Sequence, residues 1–194
     1  LVTKLQNDFS DYPNIQPLLQ NALKYDFSPF SVIIGNLPYY ITSSLLERIA
    51  LEAKSCKKAV LMVQKEAFAR ISAKTKTEDY GPLPILLSYV ATLKREFNVP
   101  RDCFVPLPHV DSTVFSLTFD KGADFNLAKR LFEFTSAMFL HRRKTIYNNL
   151  VFALGDQSKA KEILLEAGIE PSARPETLTP QDHLRLLQIK ENHI

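Results

Sequence analysis

The chain has 194 residues, 45% hydrophobic and 23% charged, with a formal net charge of +3 at pH 7. This is ordinary globular usage, which excludes general disorder and allows one domain, or a medium domain with a small companion. The mild positive balance permits an acidic partner without demanding one.

Taken in chain order, residues 15–19 (Ile-Gln-Pro-Leu-Leu) and 31–35 (Ser-Val-Ile-Ile-Gly) read as short strands. The second is apolar enough to be buried on both faces of a parallel sheet. Ser44-Leu-Leu-Glu47 fits a capping box, which predicts a helix from there to about Ala53. Lys58–Gln64 (KAVLMVQ) is a further buried strand, followed by a helical stretch from Lys65 to Ala73. This strand–helix rhythm predicts a doubly wound α/β sheet. Residues 74–82 (KTKTEDYGP) are polar and end in Gly-Pro, so they form a loop. A helix over Leu83–Tyr89 and an extended stretch over Ala91–Val99 come next. The proline-rich segment 100–108 cannot be regular structure. Ser112–Phe119 (STVFSLTF) alternates, a β pattern expected at a sheet edge.

After Lys121-Gly122 the character becomes helical. Leu127, Leu131, Phe134 and Met138 form a stripe along one helix, and a basic helix is expected to begin near His141-Arg-Arg-Lys144. A third helix covers about Ser158–Ala167 and stops at Gly168. A fourth opens at Thr179-Pro180-Gln-Asp182, with an N-cap, a proline at N1 and an acid at N3. The division is therefore an α/β unit over 1–120 and a small all-helical unit over 121–194.

Cys56 and Cys103 are the only cysteines and have no metal-like spacing, which suits a reducing compartment and implies neither a disulfide framework nor a metal site. No apolar run approaches the roughly 18 residues that span a bilayer. The start, Leu-Val-Thr-Lys, lacks a basic-then-apolar signal design, so a cytoplasmic protein is expected. Its five glycines are scattered, and no Gly-rich phosphate or cofactor loop is present.

The chemistry concentrates in GNLPYYITSSLL, residues 35–46. Asn36 lies at the carboxyl end of a parallel strand, the usual ligand position in open α/β sheets. Its carboxamide oxygen and the Leu37 carbonyl, held extended by Pro38, are two acceptors suited to an exocyclic amino group. Tyr39 offers a flat face for stacking on a ring. The amino nitrogen of adenine is a poor nucleophile because its lone pair is delocalised. Acceptors off the ring plane favour a pyramidal nitrogen and stabilise the charge that develops as a methyl group arrives. No strong base is needed, so a neutral Asn is adequate. The same residues also suit a plain strand-to-helix turn, and Tyr40 is read as packing.

Four stretches together resemble the ribosomal RNA adenine dimethyltransferases: GNLPYYITSSLL, QKEAFARI (64–71) followed by Tyr80-Gly81, FVPLPHVDSTV (104–114) and HRRKTIYNNL (141–150). Arg174-Pro-Glu and Thr179 onward extend the likeness to the end of the chain. The related macrolide-resistance methyltransferases share the NxPY core but are not expected to carry the RRKT helix in this form.

The resemblance implies a Rossmann-like methyltransferase sheet, here its C-terminal half, followed by a small helical RNA-binding domain. It implies S-adenosyl-L-methionine as methyl donor, and small-subunit ribosomal RNA, in an immature small ribosomal subunit, as partner. By the same resemblance Asn36, with the backbone of Leu37 and Pro38, holds the target amino group. Tyr39 and Phe104 clamp the base, although core packing is the simpler reading of Phe104 alone. Pro106, Pro108 and Asp111 shape the loop. Asn21 stands where the family has an Asp that contacts the cofactor's adenine, and Asn36 borders the cofactor as well. Asn21 is equally consistent with a turn. Lys65, Arg70, Lys74 and Lys76 form one basic group and Arg142, Arg143 and Lys144 another, both expected to contact phosphates.

The family's glycine loop and its ribose-binding acid are expected upstream of Leu1, with two strands lying between those read at 15–19 and 31–35. The chain is therefore expected to be a fragment, inactive alone, of a full-length protein that is monomeric. The expected activity is dimethylation of two adjacent adenosines in small-subunit ribosomal RNA. The rival is a non-catalytic RNA-binding assembly or transcription factor on the same fold. A DNA adenine methyltransferase shares the chemistry but would not be expected to carry the RRKT helical unit.

Overall fold

The computed structural model describes residues 1–120 and 122–193; the expected change of character at Lys121 falls on a residue outside those described. Among the described residues four strands, β1 (Val32–Asn36), β2 (Lys58–Gln64), β3 (Ala91–Val99) and β4 (Ser112–Phe119), form one sheet in the order β1-β2-β4-β3. β1 and β2 run parallel; β4 is antiparallel to β2 on one side and to β3 on the other. Helix α1 (Val2–Asp8) precedes the sheet. The crossover that a parallel pair requires is α2 (Thr42–Glu52), which buries Leu45, Leu46, Ile49 and Ala50 along one face, and the short α3 (Lys65–Ile71) follows β2.

Register explains which strand residues meet that face. Gly35 lies opposite Leu61 and Leu61 opposite Phe115, while Ile33 lies opposite Ala59 and Ala59 opposite Leu117. These period-two positions share one side of the sheet and form a core with α2 and with Leu86, Leu87 and Val90 of α4 (Pro82–Val90). The other side is open at β1, where Val32 is 54% and Ile34 81% exposed, so the strand expected to be buried on both faces is covered on one, because no described element packs on the second. Among the described residues the doubly wound arrangement is thus seen on one face.

A second core joins Tyr80 and Ile85 to Leu131, Phe134 and Met138 of α5 (Phe125–Met138) and to Ile146 and Leu150 of α6 (Ile146–Leu154). Ile163 and Leu164 of α7 (Gln157–Ala167) and Leu186 and Leu187 of α8 (Pro180–Asn192) complete it. Helix α4 serves both cores, with Ile85 turned to the second. The helical stripe, the left-handed Gly168 (φ 63°) after α7, and the Thr179–Asp182 capping box on α8 all occur as the sequence predicts.

Four expectations need correction. Residues 15–19 form no strand, and Leu19 is 84% exposed. An apolar extended segment becomes a strand only when its backbone finds a partner, and β1 pairs with β2 alone among the described residues. The Ser44–Glu47 capping box is absent: α2 starts two residues earlier, and Thr42 Oγ1 donates to the Pro38 carbonyl at 3.0 Å. β4 is interior, and β3 takes the edge. Residues 141–144 are a turn, with α6 starting at Ile146. Among the described residues no helix is long and apolar enough to cross a membrane, and no group of three or more His, Cys, Asp or Glu could hold a metal ion.

Candidate functional site

One line across the sheet orders the site. Asn36 lies opposite Met62, Met62 opposite Val114, and Val114 opposite Phe97. One step further out, Gln64 lies opposite Ser112 and Ser112 opposite Val99. The ends of β1, β2 and β3 and the start of β4 therefore share one rim. With strands spaced about 4.8 Å apart, Asn36 and Val114 are roughly 10 Å apart in the backbone. The GNLPYY turn and the proline-rich loop both rise from this rim.

Asn36 is exposed, and its carboxamide has no hydrogen-bond partner among the described residues. Leu37 carries the ladder one residue further by donating its N–H to the Met62 carbonyl at 3.0 Å, and it buries its side chain in the first core. This fixes the peptide that presents the Leu37 carbonyl, which accepts no hydrogen bond from the described residues. The Pro38 carbonyl is engaged by the turn itself, accepting from the Ile41 N–H at 3.2 Å and the Thr42 hydroxyl at 3.0 Å. The free acceptors are thus Asn36 and Leu37. Gly35 leaves room for them: a Cβ there would lie 2.9 Å from Leu37 Cδ2 and 3.3 Å from Leu61 Cδ2.

Tyr39 is half exposed at 50%. Tyr40, expected to pack, is 89% exposed and stands in solvent, because the turn directs Leu37 inward instead. Phe104 is half-buried and follows a 3-10 turn over Arg101–Cys103, its N–H donating to the Arg101 carbonyl at 3.2 Å. Asp111 pins the loop at both ends. Its side chain accepts from the Arg101 N–H at 3.1 Å, and its carbonyl accepts from the Lys65 N–H at 3.0 Å. Pro106 is exposed and Pro108 half-buried on the same loop.

Asn21 caps a 3-10 turn over Ala22–Lys24, its side-chain oxygen accepting from the Leu23 N–H at 2.9 Å. One acceptor lone pair is engaged and one remains. The segment is held on α2 by Arg48, which donates to the Ala22 carbonyl at 3.3 Å and lies over the Phe27 ring.

The two basic groups meet. Lys65, Lys74 and Lys76 are exposed on the first. Lys76 has φ 70° and donates its N–H to the Glu176 carbonyl at 2.7 Å, so a left-handed lysine backbone is held by the helical part of the chain. Arg142 reaches back to donate to the Thr77 carbonyl at 3.1 Å, and its guanidinium lies 5.8 Å from the centre of the Phe139 ring. Arg70 and Arg142 line a single cleft of about 280 Å³ with Ser43, Asp79, Tyr80 and Phe139. The Arg70–Asp79 pair is long at 3.8 Å and largely exposed, so it holds the arginine only weakly. Arg143 and Lys144 are exposed on the turn before α6.

Sequence reasoning missed Asn149, which makes that turn. It is buried, and its side-chain amide donates to the carbonyls of Thr145 (3.1 Å), His141 (3.3 Å) and Lys144 (3.5 Å). The available signal was an amide beside Leu150 on the buried face of α6, where an apolar residue is the ordinary choice. Beneath the cleft, Tyr80, Phe139 and His183 pack in sequence, with ring centres 6.1 and 5.6 Å apart. Burial, and then the nearby Asp182 carboxylate, raises the Tyr80 phenol well above its ordinary range. Burial pushes His183 down to about 4, against the opposing influence of the Pro175 carbonyl and Asp182.

A family model described as "Ribosomal RNA adenine dimethylase" matches residues 1–192. Among curated relatives, the "Ribosomal RNA small subunit methyltransferase A" of Shouchella clausii (strain KSM-K16) is 38% identical over 201 residues, covering 96% of this chain and 68% of that protein. The protein of the same name from Streptococcus thermophilus (strain ATCC BAA-250 / LMG 18311) is 36% identical over 203 residues, covering 96% and 70%. Among solved structures, a dimethyladenosine transferase from Plasmodium falciparum superposes with a TM-score of 0.83 at 23% identity, covering 100% of this chain and 79% of that one. The 23S rRNA methyltransferase ErmE gives 0.65 at 24% identity, covering 98% and 78%. These two likenesses carry the methyltransferase fold, and the family rests on the sequence matches. The chain belongs to the ribosomal RNA adenine dimethylase family.

Proposed function

We propose that the GNLPYY rim is the acceptor side of a site that dimethylates the N6 amino groups of two adjacent adenosines in small-subunit ribosomal RNA during ribosome biogenesis. The observation that carries this is the pair of unengaged acceptors, the Asn36 carboxamide oxygen and the Leu37 carbonyl, side by side at the carboxyl end of a parallel strand. Each accepts one N–H of the target amino group. Their fixed position draws the nitrogen out of conjugation, and their negative ends stabilise the positive charge it acquires. Tyr39 stacks on one face of the base and Phe104, from the pinned loop across the rim, on the other. Pro38 sets the turn and leaves the amino group to its two neighbours. The proton becomes acidic only after transfer and leaves to solvent, so no strong base is required.

S-adenosyl-L-methionine supplies the methyl group. The free lone pair of Asn21 and the rim position of Asn36 fit the cofactor's edge, and these are the residues of this chain that would touch it. The exposed Lys65, Lys74, Lys76, Arg143 and Lys144, with Arg70 and Arg142 in the cleft, hold RNA phosphates without reading sequence. The catalytic elements lie within 1–120 and the RNA-holding helices within 121–194. The protein acts in the cytoplasm on immature small subunits.

The test is transfer of label from S-adenosyl-L-methionine to the RNA of immature small ribosomal subunits by the full-length protein and its Asn36→Ala variant. Label in the RNA with the parent, and none with Asn36→Ala at nearly unchanged RNA affinity, is expected. Turnover surviving Asn36→Ala overturns the assignment of Asn36. Unlabelled RNA with the parent favours the non-catalytic assembly factor.

A further inference from the structure

The buried face of α6 is made by Ile146, Asn149 and Leu150. Phe152, on the same helix, is 63% exposed. A single exposed aromatic is commonplace and carries nothing by itself. Two surroundings set this one apart. The His141 ring meets it edge-on, with centres 4.9 Å apart and planes at 86°, which supports the phenyl ring from one side while most of its surface faces water. His141 is also the first residue of the cationic turn: Leu140, His141, Arg142, Arg143 and Lys144 line one concavity of about 550 Å³. Leu140, at its lip, is 61% exposed.

An aromatic face, an adjoining apolar lip and a run of three cations together match one kind of ligand. A single-stranded nucleic acid offers flat bases to the aromatic and phosphates to the cations, and every base has a face that can stack. Duplex RNA keeps its bases stacked on one another and offers phosphates and 2′-hydroxyls but no free base face. A docking protein would have to answer the charge run with an acidic face and leave the aromatic face without a planar partner.

We propose that Phe152 is a stacking platform for an unpaired RNA base, with Arg143 and Lys144 taking the flanking phosphates. The proposal rests on the ribosomal RNA reading above and adds a contact outside the GNLPYY rim. Asn149 becomes its positioning residue, because it ties His141, Lys144 and Thr145 into the turn on which the cations sit.

The test compares the parent protein with Phe152→Ser, Phe152→Leu and Phe152→Tyr, using a short single-stranded RNA carrying 2-aminopurine and a duplex of the same sequence. Parent binding should quench the 2-aminopurine fluorescence. Phe152→Ser should bind the single strand about 5- to 150-fold more weakly. It should also lose the quench, keep duplex affinity and keep the slope of affinity against salt. Phe152→Leu keeps the side-chain bulk and fold yet should show the same loss, while Phe152→Tyr should restore binding. Arg143→Ala with Lys144→Ala should instead flatten the salt slope by roughly 0.7 for each phosphate contact removed on a single strand. If Phe152→Ser and Phe152→Leu bind the single strand as the parent does, the stacking site is overturned while the ribosomal RNA reading stands; a protein-docking role gives this result. If the parent binds neither RNA, the underlying reading fails, and the stacking site with it.

Discussion

The Arg142 guanidinium donates to the main-chain carbonyl of Thr77 at 3.1 Å, across 65 positions of sequence. The bond joins two basic groups that are separate in the chain, and the Phe139 ring beneath orients the planar fork. Arg142→Ala should release the 74–80 loop, at a stability cost of about 1 kcal/mol for a partly exposed charged hydrogen bond. Amide exchange at residues 75–80 should quicken, and RNA affinity should fall. Arg142→Lys restores the charge without the fork, so it should recover part of the affinity but not the slow exchange. Equal recovery of both by lysine would show that charge alone matters.

Asn149 lends itself to a sharper comparison. Its amide faces three carbonyl oxygens; those of His141 and Thr145 also accept the Lys144 and Asn149 N–H groups, so Asn149→Ala strips the Lys144 carbonyl of its donor, loosens the other two, and should cost about 1 kcal/mol. Asn149→Asp is nearly the same shape but sets a carboxylate against those oxygens, and should destabilise more than alanine. Urea melts of the three proteins give the order directly. An aspartate variant as stable as the parent would contradict the donor role.

His183 governs acid stability. Burial depresses it from 6.5 to about 4, with the Pro175 carbonyl and Asp182 opposing, and Nε2 lies 3.0 Å from the Pro175 oxygen, so that nitrogen carries the hydrogen. A depressed histidine is neutral in the fold while the unfolded chain binds a proton below about 6.5. Its contribution is therefore fully present above that pH and is lost as pH falls from about 6.5 towards 4. The loss is on the order of 3 kcal/mol. His183→Gln should be less stable at pH 7 yet show a flatter decline through this window, read from melts at stepped pH. A parallel decline in both proteins would place the acid sensitivity elsewhere.

Gly35 separates packing from chemistry. Its added methyl would push on Leu37 and Leu61 in the first core, at a cost of about 1–2 kcal/mol. Leu37 presents one of the two acceptors, so Gly35→Ala should lower kcat by more than the stability loss explains while leaving RNA affinity intact. Steady-state kinetics of the full-length protein, well below the melting midpoint, checks this.

Legibility in the sequence followed the range of the cause. The Thr179–Asp182 box, the Gly168 stop and β2 are specified by residues within a few positions of one another, and each stands where the pattern puts it. The alternation of Val114, Ser116 and Thr118 with Phe115, Leu117 and Phe119 suits an edge strand. Instead Ser116 is buried and donates to Glu96 at 2.7 Å, and the buried Thr113 donates to Asn98 at 3.1 Å, both across to β3. Residues 141–144 have helix-forming side chains, yet Asn149 takes their carbonyls into a turn. Residues 15–19 carry strand-like side chains but lack a partner among the described residues. In the candidate site, Asn36 and Leu37 were readable because one turn makes them. The commitment of the Pro38 carbonyl, the exposure of Tyr40 and the meeting of Arg70 with Arg142 depend on geometry that no local pattern encodes.

The rim register also bears on when the site comes into being during folding. Asn36 reaches the proline-rich loop only through β2 and then β4, whose first residue lies opposite Gln64. The acceptor turn can form with its own helix early. The loop that carries Phe104 waits for a strand some seventy-five positions later to insert between β2 and β3. Non-local pairings of this kind are slow steps, because loop closure must precede the contacts that reward it. A refolding chain should therefore regain helix signal before it regains the ability to hold a base, and activity becomes a reporter of the last strand to arrive.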